Sequence, residues 1–165
     1  MDLPAGVLPP IPTSFDSDGE LDLEALRFNV SRWNRTALTG YVVCGSNGAG
    51  VHLDDDECSR CFETVAAVAA GGKLLIAGTG RLSTRATIRL TRRAAAAGFG
   101  AALVVPPAYY RGAMTEDVLE AHYRAVADAA EIPIVLYYVP KFALVEMSPA
   151  LVTRLSEHPN IAGLK

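Results

Sequence analysis

The chain has 165 residues, half of them hydrophobic and a fifth charged, with a formal net charge of −3. That is enough chain to bury a core within one domain. Acids and bases are interspersed, so no basic tract marks a nucleic acid or an anionic membrane as partner. Residues 1–15 carry no basic region and no long apolar run, and no stretch of the chain reaches bilayer length, so neither a leader nor a membrane span is expected. Cys44, Cys58 and Cys61 are an odd number without framework spacing, which points to a reducing, cytoplasmic compartment.

Taken in order, short apolar runs alternate with longer segments of helical period. The runs cover residues 6–15, 39–44, 74–77, 101–105, 134–139 and 161–164, each apolar on both faces, as a strand covered on both sides must be. Helical period fills residues 23–34, 55–70, 84–97, 116–130 and 149–157. Asp22, Asp54, Ser83 and Thr115 stand where N-caps belong, and Ser148 precedes Pro149 at the first helical position. Gly71 and Gly98 stand where helices should stop. Six strands and five helices in strict alternation predict one α/β domain over residues 1–165 with a mainly parallel sheet.

Two architectures share that order: an open doubly wound sheet and a closed eight-stranded barrel. An open sheet that binds a nucleotide needs a glycine-rich turn after its first strand. Residues 13–19 have no such fingerprint, and Gly78-Thr79-Gly80 lacks a third glycine at the right offset. The strand ends favour the barrel. The second strand runs into Gly45-Ser46-Asn47-Gly48, and the fourth into Pro106-Pro107-Ala108-Tyr109-Tyr110-Arg111-Gly112. The fifth reads Leu136-Tyr137-Tyr138-Val139-Pro140, and the sixth Ile161-Ala162-Gly163-Leu164-Lys165.

Four such motifs at successive strand ends resemble the dihydrodipicolinate synthase and N-acetylneuraminate lyase superfamily over essentially the whole chain. The Ser46-Asn47 variant and the Tyr109-Tyr110-Arg111-Gly112 run are most similar to the 4-hydroxy-2-oxoglutarate aldolase branch. The resemblance implies a (β/α)₈ TIM barrel, here incomplete with strands 1–6 and helices 1–5. It also implies a homotetramer and a small ketoacid as substrate. The implied reaction is a Schiff-base aldol cleavage of a 4-hydroxy-2-ketoacid to pyruvate and an aldehyde, with no metal and no dissociable cofactor. Dihydrodipicolinate synthase, or another pyruvate-condensing member, is the alternative.

Cleaving a carbon–carbon bond beside a ketone needs an electron sink, which a lysine amine supplies by forming an iminium. The resemblance gives that role to Lys165, whose plainer reading is a solvated lysine ending a strand. Tyr137 matches the catalytic tyrosine that moves protons. Strand alternation turns Tyr138 to the opposite face, between sheet and helices. Ser46 matches the hydroxyl that links two tyrosines, and Ser46 with Asn47 would hold the ketoacid carboxylate on backbone N–H groups. Tyr110 matches a tyrosine that reaches a neighbouring subunit's site. The chain departs from the family pattern at Ala49, usually glutamate, at Phe142, where the synthases carry an arginine, and at Leu144, usually glycine.

Other signals have plainer readings. Cys58 and Cys61 at i, i+3 inside a helix read as packing residues. His52 with residues 54–57 reads as an acidic first helical turn opposing the dipole. The arginines of residues 81–93 read as one solvated face. Six strands do not close an eight-stranded barrel. The 165 residues alone are therefore expected to have little activity and to fray at Lys165. A truncated, catalytically inactive homologue is the second function class.

Overall fold

In a computed structural model, which describes residues 3–165, the alternation resolves into helices and strands laid around one parallel sheet. The elements are α1 (Leu23–Trp33), β1 (Gly40–Val43), α2 (Asp55–Val68), β2 (Leu74–Gly78), α3 (Thr84–Ala96) and β3 (Ala101–Val104). They continue with α4 (Glu116–Ala129), β4 (Ile134–Leu136), a single-turn α5 (Pro140–Ala143), α6 (Pro149–Ser156) and β5 (Ile161–Leu164). All five predicted caps accept a backbone N–H with their side chains. Asp54 and Glu57 complete a reciprocal capping box, and Asp55, Asp56 and Glu57 form the acidic first turn of α2. Gly98 takes φ +90 after α3 as predicted, whereas Gly72, not Gly71, carries the positive φ beyond α2.

The strands pair in sequential order β1-β2-β3-β4-β5, all parallel. A doubly wound sheet reverses direction at a switch point, but this one never does. Right-handed crossovers in constant order put every helix on the same side. Burial agrees. Tyr41, Val43, Leu75, Ala77, Ala102, Val104, Ile134 and Leu136 pack outward into two clusters with helix residues. Val42, Ile76, Ala101, Leu103, Val135 and Tyr137 form a separate inner stripe. Paired residues of parallel strands share a face, and the registers Val42↔Ile76↔Ala101 and Leu103↔Val135 reproduce that stripe.

The first predicted strand is corrected. Residues 6–15 form no regular strand. Pro10 makes one parallel bridge to Val42, with Val42 N donating to Pro9 O and Ile11 N to Val42 O, each at 2.9 Å. Pro9, Pro10 and Pro12 have no N–H to extend the ladder, so the segment lies in strand position but cannot propagate it. The predicted strand through Val139 also stops early, at Leu136, because Pro140 starts α5. Among the described residues no helix is long and apolar enough to cross a membrane.

Candidate active site

The C-terminal ends of the strands converge on a cleft lined by Ser46, Gly80, Arg81, Leu103, Tyr137 and Phe142, with Cys44 at its wall. Its β1 side is a strained loop. Cys44 turns out of the strand at φ +54, and Ser46–Gly48 form one 3₁₀ turn closed by Ala49 at φ +53. Such angles disfavour side chains with a Cβ. The surroundings hold them in place: Thr13 donates its hydroxyl to Gly48 O at 2.6 Å. The Cys44 carbonyl presses so close to Gly50 and Gly78 that a Cβ there would come within 1.9 and 2.2 Å of it. Within the turn Gly48 N and Gly50 N bond to Gly45 O. Among the described residues the N–H groups of Ser46 and Asn47 have no backbone acceptor, as expected of the first positions of a helical turn.

Tyr137 follows β4 on the inner face and is 4 % exposed. Its hydroxyl meets the Ser46 hydroxyl at 2.9 Å, 91 positions apart in sequence, and either oxygen can donate. Tyr138 points the other way and packs on the helix-side cluster, as alternation predicts. Lys165 is placed by an irregularity. β4 and β5 begin with Ile134 opposite Ile161, but Val135 then pairs with Gly163, leaving Ala162 as an extra residue. Ile161 faces outward, so uninterrupted alternation would turn Lys165 outward as well. The bulge shifts the parity by one, and the Lys165 ammonium lies over the Tyr137 ring, 4.9 Å from its centroid. The backbone of Lys165 joins the ladder: Lys165 N donates to Leu136 O at 2.8 Å, and Lys165 O accepts from Tyr138 N at 2.7 Å.

Three of the predicted residues, Ser46, Tyr137 and Lys165, are thus brought together. Asn47 is exposed on the same turn. Tyr110 is 72 % exposed in edge contact with Tyr109, outside the cleft lining. Arg81 is the residue misread from sequence. It precedes α3 rather than sharing its solvated face, and its side chain is only 18 % exposed. Its Nε bonds to Asp55 at 3.1 Å, its Nη1 to Gly80 O and its Nη2 to the Cys58 sulfur. The signal available was its position directly after Gly80 at a strand end, the level where a parallel barrel collects its site. The hydrogen bonds from Arg89 and Arg81, outweighing burial, hold the Asp55 carboxyl below its usual range.

A model of the Dihydrodipicolinate synthetase family matches residues 3–165. The chain is 44 % identical over 160 residues to a 4-hydroxy-tetrahydrodipicolinate synthase of Methanothrix thermoacetophila, covering 97 % of this chain and 53 % of the relative. It is 40 % identical to an L-threo-3-deoxy-hexylosonate aldolase of Hypocrea jecorina, covering 99 % and 54 %. It is 38 % identical to a probable mitochondrial 4-hydroxy-2-oxoglutarate aldolase of Emericella nidulans, covering 97 % and 53 %. A crystal structure of dihydrodipicolinate synthase from Acinetobacter baumannii complexed with pyruvate superposes with a TM-score of 0.90 at 35 % identity, covering 97 % of this chain and 54 % of that one. The chain spans about half the length of the curated relatives it matches. Its fold is the N-terminal part of the family's TIM barrel, and on a match over nearly every residue the chain belongs to the Dihydrodipicolinate synthetase family.

Proposed function

We propose that the intact protein is a Schiff-base aldolase that cleaves a 4-hydroxy-2-ketoacid to pyruvate and an aldehyde. The observation that carries this reading is the Ser46–Tyr137 hydroxyl pair with the Lys165 amine over the same ring. In this reading the neutral Lys165 amine attacks the substrate ketone at C2, and loss of water leaves an iminium. The C3–C4 electron pair moves into that iminium as the bond breaks, while Tyr137 takes the proton of the C4 hydroxyl. The aldehyde leaves; the enamine is protonated at C3, and water releases pyruvate and restores the amine. Ser46 passes protons to and from Tyr137, and the N–H groups of Ser46 and Asn47 hold the carboxylate. Tyr110, exposed at the same end, is assigned to a neighbouring subunit's site in a cytoplasmic homotetramer.

The competing synthase reading draws on the 44 % identity to such an enzyme. Against it, the cleft wall presents Phe142 at the position where the synthases are expected to grip a second carboxylate with arginine. The two readings separate in coupled assays on the purified intact protein. Pyruvate release from 4-hydroxy-2-oxoglutarate or a related 4-hydroxy-2-ketoacid is expected. Condensation of pyruvate with aspartate semialdehyde, without release from any such ketoacid, would overturn the assignment.

A further inference from the structure

Three thiols meet behind the wall of the cleft. Cys44 follows β1, Cys58 and Cys61 stand one turn apart on α2, and the three side chains belong to one buried cluster. All three are free and buried. Arg81, which lines the cleft beside Cys44, donates from Nη2 to the Cys58 sulfur at 3.1 Å. A sulfur anion on Cys58 therefore has a guanidinium already in place. The hydrogen bond from Cys44, with burial opposing and Arg81 assisting, brings the Cys58 thiol down to about 7. Hydrogen bonding to its two neighbours, together with burial, pushes the Cys44 thiol well up. Thiols buried only for packing sit in apolar surroundings and are inert, whereas reactive ones sit beside cations.

We propose that Cys58 and Cys44 form an oxidisable dithiol that reacts with hydroperoxides entering through the cleft past Arg81. The Cys58 thiolate attacks one peroxide oxygen. The S–O bond forms, the O–O bond breaks, and the departing oxygen takes a proton, leaving a sulfenic acid. Cys44 then loses its proton and attacks the Cys58 sulfur; the S–S bond forms, the S–O bond breaks, and hydroxide leaves as water with that proton. Two thiols are oxidised and one peroxide is reduced. The disulfide ties the residue that opens the Gly45-Ser46 turn to α2 and takes from Arg81 its sulfur partner. This site stands independently of the ketoacid chemistry.

The sequence makes the test clean. Cleavage after Arg35, Arg60 and Lys73 puts Cys44 and Cys58 in one tryptic peptide, residues 36–60, and Cys61 in the next. The intact native protein is treated with hydrogen peroxide, the peroxide is removed, and remaining thiols are alkylated in denaturant before digestion. The expected product is peptide 36–60 lighter by two hydrogens and unalkylated, with Cys61 alkylated, so that two of the three thiols are lost to the reagent. Cys61→Ser should keep this product, and Cys58→Ser should lose it. A cross-link joining the two peptides, sulfonic acids without a disulfide, or three thiols still open to alkylation would each overturn the proposal, and the unmutated protein alone is enough to show any of them.

Discussion

On the outer side of the sheet, Leu119, Tyr123 and Val126 of α4 and Leu151 and Leu155 of α6 interlock with Ile134 and Leu136, all essentially without solvent contact. On the inner side, among the described residues, the small stripe from Val42 to Tyr137 packs with none of the long helices and ends at the cleft. Two buried tyrosines mark the contrast. Tyr123 donates its hydroxyl to Val104 O at 3.3 Å inside the outer layer, and burial pushes its pKa far up, so it keeps its proton. Tyr137 is almost as buried, yet its hydroxyl faces Ser46 at the cleft. A strand with a period of two residues thus serves both layers, with packing carried by one parity and, in the proposed reaction, chemistry by the other.

The sharpest break of that comparison is Tyr137→Phe in the intact protein. It should cut turnover by roughly 10²–10⁴-fold, the scale of a lost general acid–base group, with little change in melting temperature because the ring stays. Tyr138→Phe should change turnover only slightly, and equal losses from the two would show that facing does not sort their roles.

Leu119→Ala should do the converse. It removes a side chain with 0 % exposure and should lower stability by about 2–5 kcal/mol while leaving turnover per folded molecule intact. Denaturant midpoints and active-site titration measure the two quantities separately.

His122 lies in the same outer layer, with Nδ1 against Thr84 Oγ1 at 2.9 Å. Burial lowers its pKa from 6.5 to about 4. Between those values the unfolded chain binds the proton and the folded chain does not. Stability should therefore fall as pH drops through that window, by on the order of 3 kcal/mol in total. Comparing denaturant midpoints at about pH 7 and about pH 4.5 for the protein and His122→Gln cancels the contribution of Asp55, Glu116 and Glu120. Hydrogen bonds to those carboxylates lower their pKa values, so their stabilisation is lost only further into acid. Parallel pH profiles would contradict the assignment.

The smallest effect concerns Leu144, which closes α5 at φ +60. Leu144→Gly should stabilise by about 0.5–1 kcal/mol by relieving a left-handed angle, and a loss of stability would show that the half-exposed leucine contributes contacts worth more than the strain.

Much of this was legible from residues. The caps at Asp22, Asp54, Ser83, Thr115 and Ser148 are local chemistry, and local chemistry can be read in sequence. So can the opposed facing of Tyr137 and Tyr138, which needs only the strand period. The facing of Lys165 was not legible, because it depends on the extra residue at Ala162, and a bulge is set by the neighbouring strand rather than by its own residues. The first strand was over-read: its apolar pattern is real, but three prolines leave it one parallel bridge to β1. Arg81 was hidden among arginines with helical spacing, and the Cys44 contact with α2 joins residues whose proximity only the fold supplies.

The central claim is that Lys165 is the amine that captures the ketoacid, on the face it shares with Tyr137. The most direct test incubates the intact protein with pyruvate, reduces with borohydride and maps the added mass by peptide sequencing. The predicted result is a single pyruvate-derived adduct on Lys165, lost in Lys165→Arg and formed more slowly in Tyr137→Phe. No adduct, or an adduct on Lys73 or Lys141 with Lys165 unmodified, would contradict the account.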